Sequence, residues 1–384
     1  MSKSKINKYL AKWRALPGGA ATTTPERKWG DPPARTPHLP PLRPRPAFSL
    51  YRKSKYPAPP ELDSDLARIL STYRDHNSAS ERAFSAALRQ QLIDAGHTVR
   101  DHVLDQFSVT VPLAGGTAPD ILFACHLDTV DSTDSPAPKA LDYNPDTGHV
   151  ALAKTSQNIG TVLGADDGAG VWLLLQMIAA RVPGTYLFHR GEERGGQGAK
   201  AMATQESVWL GQFQIAVEFD RKDTCDIVTH QRGGTRCASD KFAAALSKAL
   251  EPLKLKQSRG GTYTDVAEYS RLIPECVNLS IGYNSAHSDA ETLDVGYLYA
   301  LRDQLIALNW ITLPVDRDVN WIPDPSLLYA VRRMTDAEIK TWADTATPAK
   351  IAAILLAVRG EEPYVPTIYN ANHQYTLLED ALHF

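Results

Sequence analysis

The sequence has few cysteines and no long apolar run. Its four cysteines are far apart and form no C-x-x-C pair, namely Cys125, Cys225, Cys237 and Cys276. No disulfide framework is therefore indicated, and a reducing cytoplasm is the expected location. No apolar stretch reaches the roughly 18 residues that a membrane-spanning helix needs, and the N-terminus lacks the apolar run of a secretory signal. We therefore expect no membrane span.

Acidic residues are scarce at the N-terminus. Residues 1–60 hold thirteen lysines and arginines against only Glu26 and Asp31, and they hold 12 of the 26 prolines. Such a composition cannot build a packed core, and it predicts a basic, proline-rich, disordered arm. A solvated tail would explain the arm, and so would electrostatic contact with an anionic partner.

Beyond residue 62 the pattern is that of alternating strands and helices. Continuously apolar strands such as 121–125 and 276–282 are separated by helical segments, and 161–180 predicts a short strand, a glycine-rich turn and a helix. Continuously apolar strands are typical of a sheet buried on both faces. Residues 62–312 are thus predicted to form a three-layer α/β/α sandwich with a mixed, mostly parallel sheet. Residues 313–384 are predicted to be an appendage with a helical hairpin, 335–345 and 347–360.

Polar side chains follow the predicted strands where each strand ends. In chain order they are His126 and Asp128, Asp166 and Asp167, Glu192 and Glu193, Asp220, and His287. Each has an ordinary explanation taken singly, because an Asp pair before a helix is usually a cap and a Glu pair is usually solvated surface. Ligand sites of open α/β sheets lie at the carboxyl ends of the strands, so we expect these side chains to converge.

Two histidines and several carboxylates without cysteine suit a divalent metal. Zinc is the leading candidate, with manganese or cobalt as alternatives. The set exceeds what one ion needs, and a carboxylate bridging two ions about 3.5–4 Å apart would account for the surplus. A further carboxylate could then take a proton from the activated water. The sequence therefore predicts a two-metal hydrolytic site.

The ordered set H-x-D, GADDGAG, E-E, D and H resembles the co-catalytic zinc exopeptidase superfamily over residues 64–311. The resemblance implies that Asp166 bridges two zinc ions and that the Asp166–Asp167 peptide bond is cis. It further implies that His126 and Asp220 complete one metal site.

The same resemblance implies roles for the remaining residues. Glu193 and His287 would complete the second metal site, and Glu192 would be the general base. Asp128 would orient His126, as carboxylates commonly do for metal-bound imidazoles.

The spacing after Asp220 bears on the branch of the superfamily. Only 67 positions separate Asp220 from His287, which leaves no room for an inserted lid domain and favours the single-domain aminopeptidases. The motif HLDTV at residues 126–130, by contrast, resembles the tripeptidase and deacylase branch. Some single-domain members carry a tyrosine where this chain has Ala286, and Tyr283 or Tyr263 could serve in its place.

The expected function is that of a metal-dependent exopeptidase, an aminopeptidase acting on peptides as a monomer. A carboxypeptidase or an N-acyl amino-acid deacylase of the same superfamily is the alternative. A non-catalytic binding or assembly protein built on this fold is a third hypothesis, but the complete set of ligands and base argues against it.

Overall fold

The computed structural model describes residues 53–158 and 161–319, together with two short strands that pair antiparallel, β15 (Ile368–Tyr369) and β16 (Tyr375–Thr376). The predicted helices 335–345 and 347–360 lie outside the described residues, as does most of the predicted N-terminal arm. Residues 53–319 belong to one compact unit. None of the helices in the described part of the chain is both long enough and apolar enough to cross a membrane.

The centre of this unit is an eight-stranded sheet. In spatial order its strands are β1 (Val99–Asp101), β2 (Phe107–Val111), β6 (Gly184–His189), β3 (Ile121–His126), β7 (Ile215–Arg221), β12 (Glu275–Ser280), β8 (Asp226–Val228) and β11 (Lys256–Ser258). Strands β6, β3, β7 and β12 run parallel, and β8 with β11 forms a further parallel pair. The other three pairings are antiparallel. The predicted mixed sheet is confirmed.

Helices cover both faces of the sheet. They are α1 (Ser64–Ser71), α2 (Ala79–Asp94), α3 (Ala165–Ala179), α4 (Gln197–Gln205), α5 (Ser207–Leu210), α6 (Asp240–Ala249) and α7 (Val295–Ala307). Alternate residues of β3 enter different cores: Phe123 packs with the core that holds α1, α2 and α3, whereas Leu122 packs with the core that holds α4. A strand whose two faces are both buried is continuously apolar, which is the pattern seen in the sequence.

A second, smaller sheet was not predicted. Its order is β13 (Tyr283–Asn284), β14 (Thr292–Asp294), β5 (His149–Leu152) and β4 (Leu141–Asn144), all antiparallel, and β9 (His230–Gln231) pairs separately with β10 (Thr235–Arg236). The short strand expected just before α3 was wrong, because residues 161–164 form a loop leading into the helix. Every residue between Asp220 and His287 is described, and they form strands, α6 and turns of the main unit, with no inserted lid.

The last residues assigned to the N-terminal arm pack against the domain. The Ser54 main-chain N–H donates to the Thr147 carbonyl at 2.8 Å, and the Tyr143 hydroxyl donates to the Pro59 carbonyl at 2.5 Å. The Tyr56 ring lies 5.7 Å from that of Tyr297, centroid to centroid. Residues 53–60 therefore belong with the folded unit, and the predicted boundary at residue 60 is too late.

Candidate metal site

The predicted site residues meet at one edge of the main sheet. Parallel strands β3, β6 and β7 deliver most of them at or just beyond their carboxyl ends. The start of α3 adds Asp166 and Asp167, and the loop after β13 adds His287. Three groups have ligand atoms within 4.8 Å of one another: His126, Asp166 and Asp220; His126, Glu192 and Glu193; and Asp166, Glu193 and His287. Six of the eight residues identified at strand exits thus form one continuous cluster.

The first half of the cluster is buried. His126 Nε2 lies 3.1 Å from Asp166 Oδ1 and 3.8 Å from Asp220 Oδ1. The Thr264 hydroxyl donates to Asp220 Oδ2 at 3.0 Å, and the Tyr283 hydroxyl donates to Asp220 Oδ1 at 3.2 Å. These two hydroxyls hold the Asp220 carboxylate facing the histidine.

The second half opens towards solvent. His287 Nε2 lies 2.9 Å from Glu193 Oε1 and 3.4 Å from Asp166 Oδ2, and about half of the His287 side chain is exposed. Asp166 therefore presents Oδ1 to His126 and Oδ2 to His287. A carboxylate that gives one oxygen to each half has the placement required of a bridging ligand.

The turn carrying Asp166 is fixed by its neighbour. The Asp166–Asp167 peptide bond is cis, as the resemblance implies. Asp167 is fully buried, and its carboxylate accepts hydrogen bonds from the main-chain N–H groups of His126 at 3.1 Å and Gly170 at 3.0 Å. A Cβ on Gly170 would stand 2.3 Å from Asp167 Oδ1, so only glycine fits there. Asp167 thus ties α3 to the end of β3 and belongs to none of the three ligand groups.

Asp128 differs from its expected role. The main-chain carbonyl of Asp128, and not its carboxylate, lies 3.0 Å from His126 Nδ1; the nearer carboxylate oxygen is at 3.8 Å. That carboxylate instead accepts three main-chain hydrogen bonds, from Gly191 at 2.7 Å, Glu192 at 3.2 Å and Glu193 at 3.3 Å. A fully buried carboxylate is stabilised by such donors, and here they form the turn that presents both glutamates.

The site has more negative charge than its own cations balance. Burial opposes the charge of His126, but hydrogen bonds to Asp166 and Asp220 raise its pKa well above the usual value. Burial together with the neighbouring acids Asp220 and Glu193 raises the pKa of Glu192 to about 9. Burial and the Asp166 charge raise the pKa of Asp220 to about 7. Crowded carboxylates of this kind are stabilised by bound cations.

Several supporting residues were missed in the sequence. Glu291 accepts hydrogen bonds from the main-chain N–H groups of Gly164 at 2.9 Å and Asp166 at 3.0 Å, and Arg74 donates to the Gly164 carbonyl at 2.6 Å. Both side chains are buried. Neither follows a strand of the main sheet, so no pattern in the sequence distinguished them from surface charges.

A buried ion pair lies next to the turn that carries Glu192 and Glu193, here called the glutamate turn. Arg190 donates from Nε to Glu81 Oε1 at 2.6 Å and from an Nη atom to Glu81 Oε2 at 2.5 Å. Glu81 lies in the first turn of α2, and Arg190 lies two positions before Glu192. The pair therefore anchors the turn to the helix layer.

A cavity of about 380 Å³ adjoins the cluster. Asp166, Glu192, Asp220 and His287 form one part of its wall. Its remaining wall is formed by Arg221, Lys222, Val228, Gln231, Gly261, Thr262, Tyr263, Asn278, Tyr283 and Ala286. The cavity is large enough for a short peptide segment beside the cluster.

Known structures share this fold. Aminopeptidase PepT from Bacillus cereus is 15% identical, with a TM-score of 0.51 over 63% of this chain and 95% of that one. A tripeptidase from Staphylococcus aureus is 14% identical, with a TM-score of 0.50 over 63% of this chain and 95% of that one. No protein-family model matches the sequence, and no curated protein matches it significantly. The resemblance to the co-catalytic zinc exopeptidases is therefore confirmed at the level of the fold.

Proposed function

We propose that this chain, which has the fold of the aminopeptidase and tripeptidase just described, is a metal-dependent exopeptidase that removes N-terminal residues from peptides. The observation that carries the proposal is the position of Asp166, whose two oxygens face two separate ligand groups. Two cations sharing one carboxylate require this arrangement.

The donor set fits two zinc ions. His126, Asp166 and Asp220 would hold one ion, and Asp166, Glu193 and His287 would hold the other. Nitrogen and oxygen donors without thiolate suit zinc, and they also suit manganese or cobalt. Two bound ions would polarise the scissile carbonyl and make a water acidic enough to attack at neutral pH.

Glu192 is placed to act as the general base. Its carboxylate belongs to a group with His126 and Glu193, while the other two groups provide complete ligand sets without it. The turn that carries it is held by Asp128. Glu192 would accept a proton from the attacking water and pass it to the amine of the departing peptide.

The proposal also covers the oligomeric state and the cellular location of the protein. The absence of an inserted lid between Asp220 and His287 supports an aminopeptidase that works as a monomer. All four cysteines are free, three of them buried, which supports a cytoplasmic location. Light scattering in solution would test the monomer directly.

Replacing Glu192 tests the mechanism. We expect Glu192→Gln to lower kcat by about 10²–10⁴-fold on unblocked peptides, because the base is lost while the ligands remain. Metal content should be unchanged. The exposed Glu251→Gln serves as the matched control and should behave as wild type. Full activity in Glu192→Gln would contradict the assignment of Glu192 as the base. If the wild-type protein cleaved only N-acylated substrates, it would be a carboxypeptidase or deacylase.

A further inference from the structure

Glu291 connects two of the segments that carry the candidate metal ligands. The ligands form a buried site, His126, Asp166 and Asp220, and an open site, Asp166, Glu193 and His287. Glu291 lies four positions after His287, in the same loop between β13 and β14, and its carboxylate contacts the turn that carries Asp166. Building on the two-metal function proposed above, we infer that Glu291 is a positioning residue. It holds Asp166 beside His287, and the ion of the open site depends on it for tight binding.

The Glu291 carboxylate makes a two-point contact with the loop that leads into α3. Oε2 accepts a hydrogen bond from the Gly164 main-chain N–H at 2.9 Å, and Oε1 accepts one from the Asp166 N–H at 3.0 Å. Glu291 is 1% exposed, so water does not compete for these donors. Hydrogen bonds that an ionised group accepts are stronger than neutral ones. Because one oxygen is used on each side of Ala165, the carboxylate fixes where the main chain of Asp166 lies.

Buried cations hold the other side of the same loop. Arg74 donates to the Gly164 carbonyl at 2.6 Å, and the Lys139 ammonium donates to the Val162 carbonyl at 3.0 Å. Both cationic side chains are buried. Of these contacts with the loop, only that of Glu291 comes from the segment that carries His287. Glu291 therefore ties the two segments to each other.

The loop that carries His287 needs contacts to keep its shape. Ser285 and His287 have positive φ values of 56° and 62°, which residues other than glycine adopt uncommonly. Such conformations persist only where the surrounding structure holds them. The Glu291 N–H donates to the Ser288 carbonyl at 3.2 Å, so anchoring the Glu291 side chain also anchors this end of the loop. The position of His287 Nε2, 3.4 Å from Asp166 Oδ2, follows from that anchor.

The buried site has a separate anchor. Asp167 accepts hydrogen bonds from the main-chain N–H groups of His126 and Gly170, which ties the start of α3 to the end of β3. His126 and Asp220 lie on β3 and β7, which pair directly with each other. None of these contacts involves Glu291. Removing the Glu291 carboxylate should therefore weaken the open site and leave the buried site as it is.

Calorimetric titration of metal-free protein with Zn²⁺ measures a dissociation constant for each ion. His287→Ala removes a ligand of the open site, so the ion that it still binds identifies the buried site. In Glu291→Gln the side-chain amide keeps one acceptor oxygen but places an NH₂ group against the second main-chain N–H. We expect the open-site ion to bind about 10–100-fold more weakly, the usual effect of replacing a residue that orients metal ligands. The constant of the buried site should not change.

Asp289→Asn is the matched control. Asp289 is an exposed residue of the same loop, so this variant also removes one negative charge from the loop. Both dissociation constants should equal those of wild type. Weakening of the open site by Asp289→Asn to the same extent as by Glu291→Gln would show that charge alone is responsible, and it would overturn the inference.

The double variant His287→Ala/Glu291→Gln separates positioning from a general loss of structure. With the open site already lost, adding Glu291→Gln should not change the constant of the remaining ion. Weaker binding of that ion, or equal weakening of both ions in Glu291→Gln alone, would show that Glu291 only supports the fold. Unchanged constants in Glu291→Gln would also overturn the inference. If circular dichroism shows that Glu291→Gln does not fold, Glu291→Asp is titrated with the same expected and contrary results, because its shorter side chain draws the two segments out of place.

Failure of the proposed function gives a different result. If wild-type protein binds no zinc, or only one ion, the two-metal exopeptidase itself is wrong. If wild type binds two ions and cleaves unblocked peptides, but Glu291→Gln binds both ions as tightly, only the positioning role of Glu291 is wrong.

Discussion

At the scale of single residues, burial decides what each polar group can do. His126 and His189 end neighbouring parallel strands and lie opposite one another in the register. His126 faces carboxylates, and hydrogen bonds to Asp166 and Asp220 keep it able to hold positive charge. His189 faces Gln106 and Tyr269, and burial lowers its pKa to about 3. Two adjacent histidines thus have opposite chemistry because their partners differ.

The buried His189 predicts a pH dependence of stability. Its pKa is about 3 in the folded protein and 6.5 for an unperturbed histidine. The unfolded chain therefore binds the extra proton below pH 6.5, and stability falls as the pH falls through this window. From pH 7 to pH 5 we expect His189 to account for a loss of about 2 kcal/mol.

Denaturant unfolding at the two pH values measures this change in the free energy of unfolding. Metal-free protein is used so that release of bound metal at the lower pH does not contribute. His189→Gln keeps a polar side chain and removes the titration. The variant should lose about 2 kcal/mol less than wild type between pH 7 and pH 5. Equal losses in the two proteins would show that His189 is not the group responsible.

The sequence predicted the candidate metal-binding residues but not the contacts that hold them in place. His126, Glu193 and Asp220 could be found because each follows a strand whose apolar pattern is visible, and Asp166 and His287 because each follows an apolar segment, 161–163 and 276–282. The partners of the Asp128 carboxylate could not be found, because they are main-chain N–H groups of a turn more than sixty positions away. Contacts of this kind depend on the folded geometry and leave no local pattern.

At the scale of elements, long apolar strands and capped helices were predictable. Strand β3 is buried along its whole length, and Ser78 caps the N-terminus of α2, where its side chain accepts a hydrogen bond from the Glu81 N–H. The four short strands of the second sheet were missed, since segments of two to four residues have too few positions to show a period. The loop before α3 was mistaken for a strand. Val162 and Leu163 are apolar because the loop is buried, but the loop pairs with no strand.

The pair between α2 and the glutamate turn predicts a large effect on stability. Glu81→Ala would leave Arg190 buried without its counter-charge, and we expect a loss of about 3–5 kcal/mol in the free energy of unfolding. Peptidase activity should fall as well, because Arg190 precedes the turn that carries Glu192. Chemical denaturation and initial rates measure the two effects.

An exposed pair elsewhere on α2 provides the control. Arg89 and Asp101 form a comparable two-point contact at 2.7 Å, but Asp101 is mostly exposed. Asp101→Ala should therefore cost less than about 1 kcal/mol and leave activity unchanged. If both variants lost the same small amount, the buried pair would not anchor the turn.

At the scale of the whole molecule, one sheet positions the entire site. Parallel strands β3, β6 and β7 bring His126, Glu192, Glu193 and Asp220 to one edge, although the first and the last of these are 94 positions apart in the chain. The residues between Asp220 and His287 complete the sheet and line the cavity, so the active face stays open without a lid. This openness suits the ends of peptides.

The most direct test of the central claim is the metal content of purified protein titrated against peptidase activity. Two ions per chain should be required, with activity rising in step with occupancy and abolished by chelation. Asp166→Asn, which weakens both halves at once, should lose both ions, whereas His287→Ala should lose chiefly one. Full activity on unblocked peptides in protein free of metal would contradict the account.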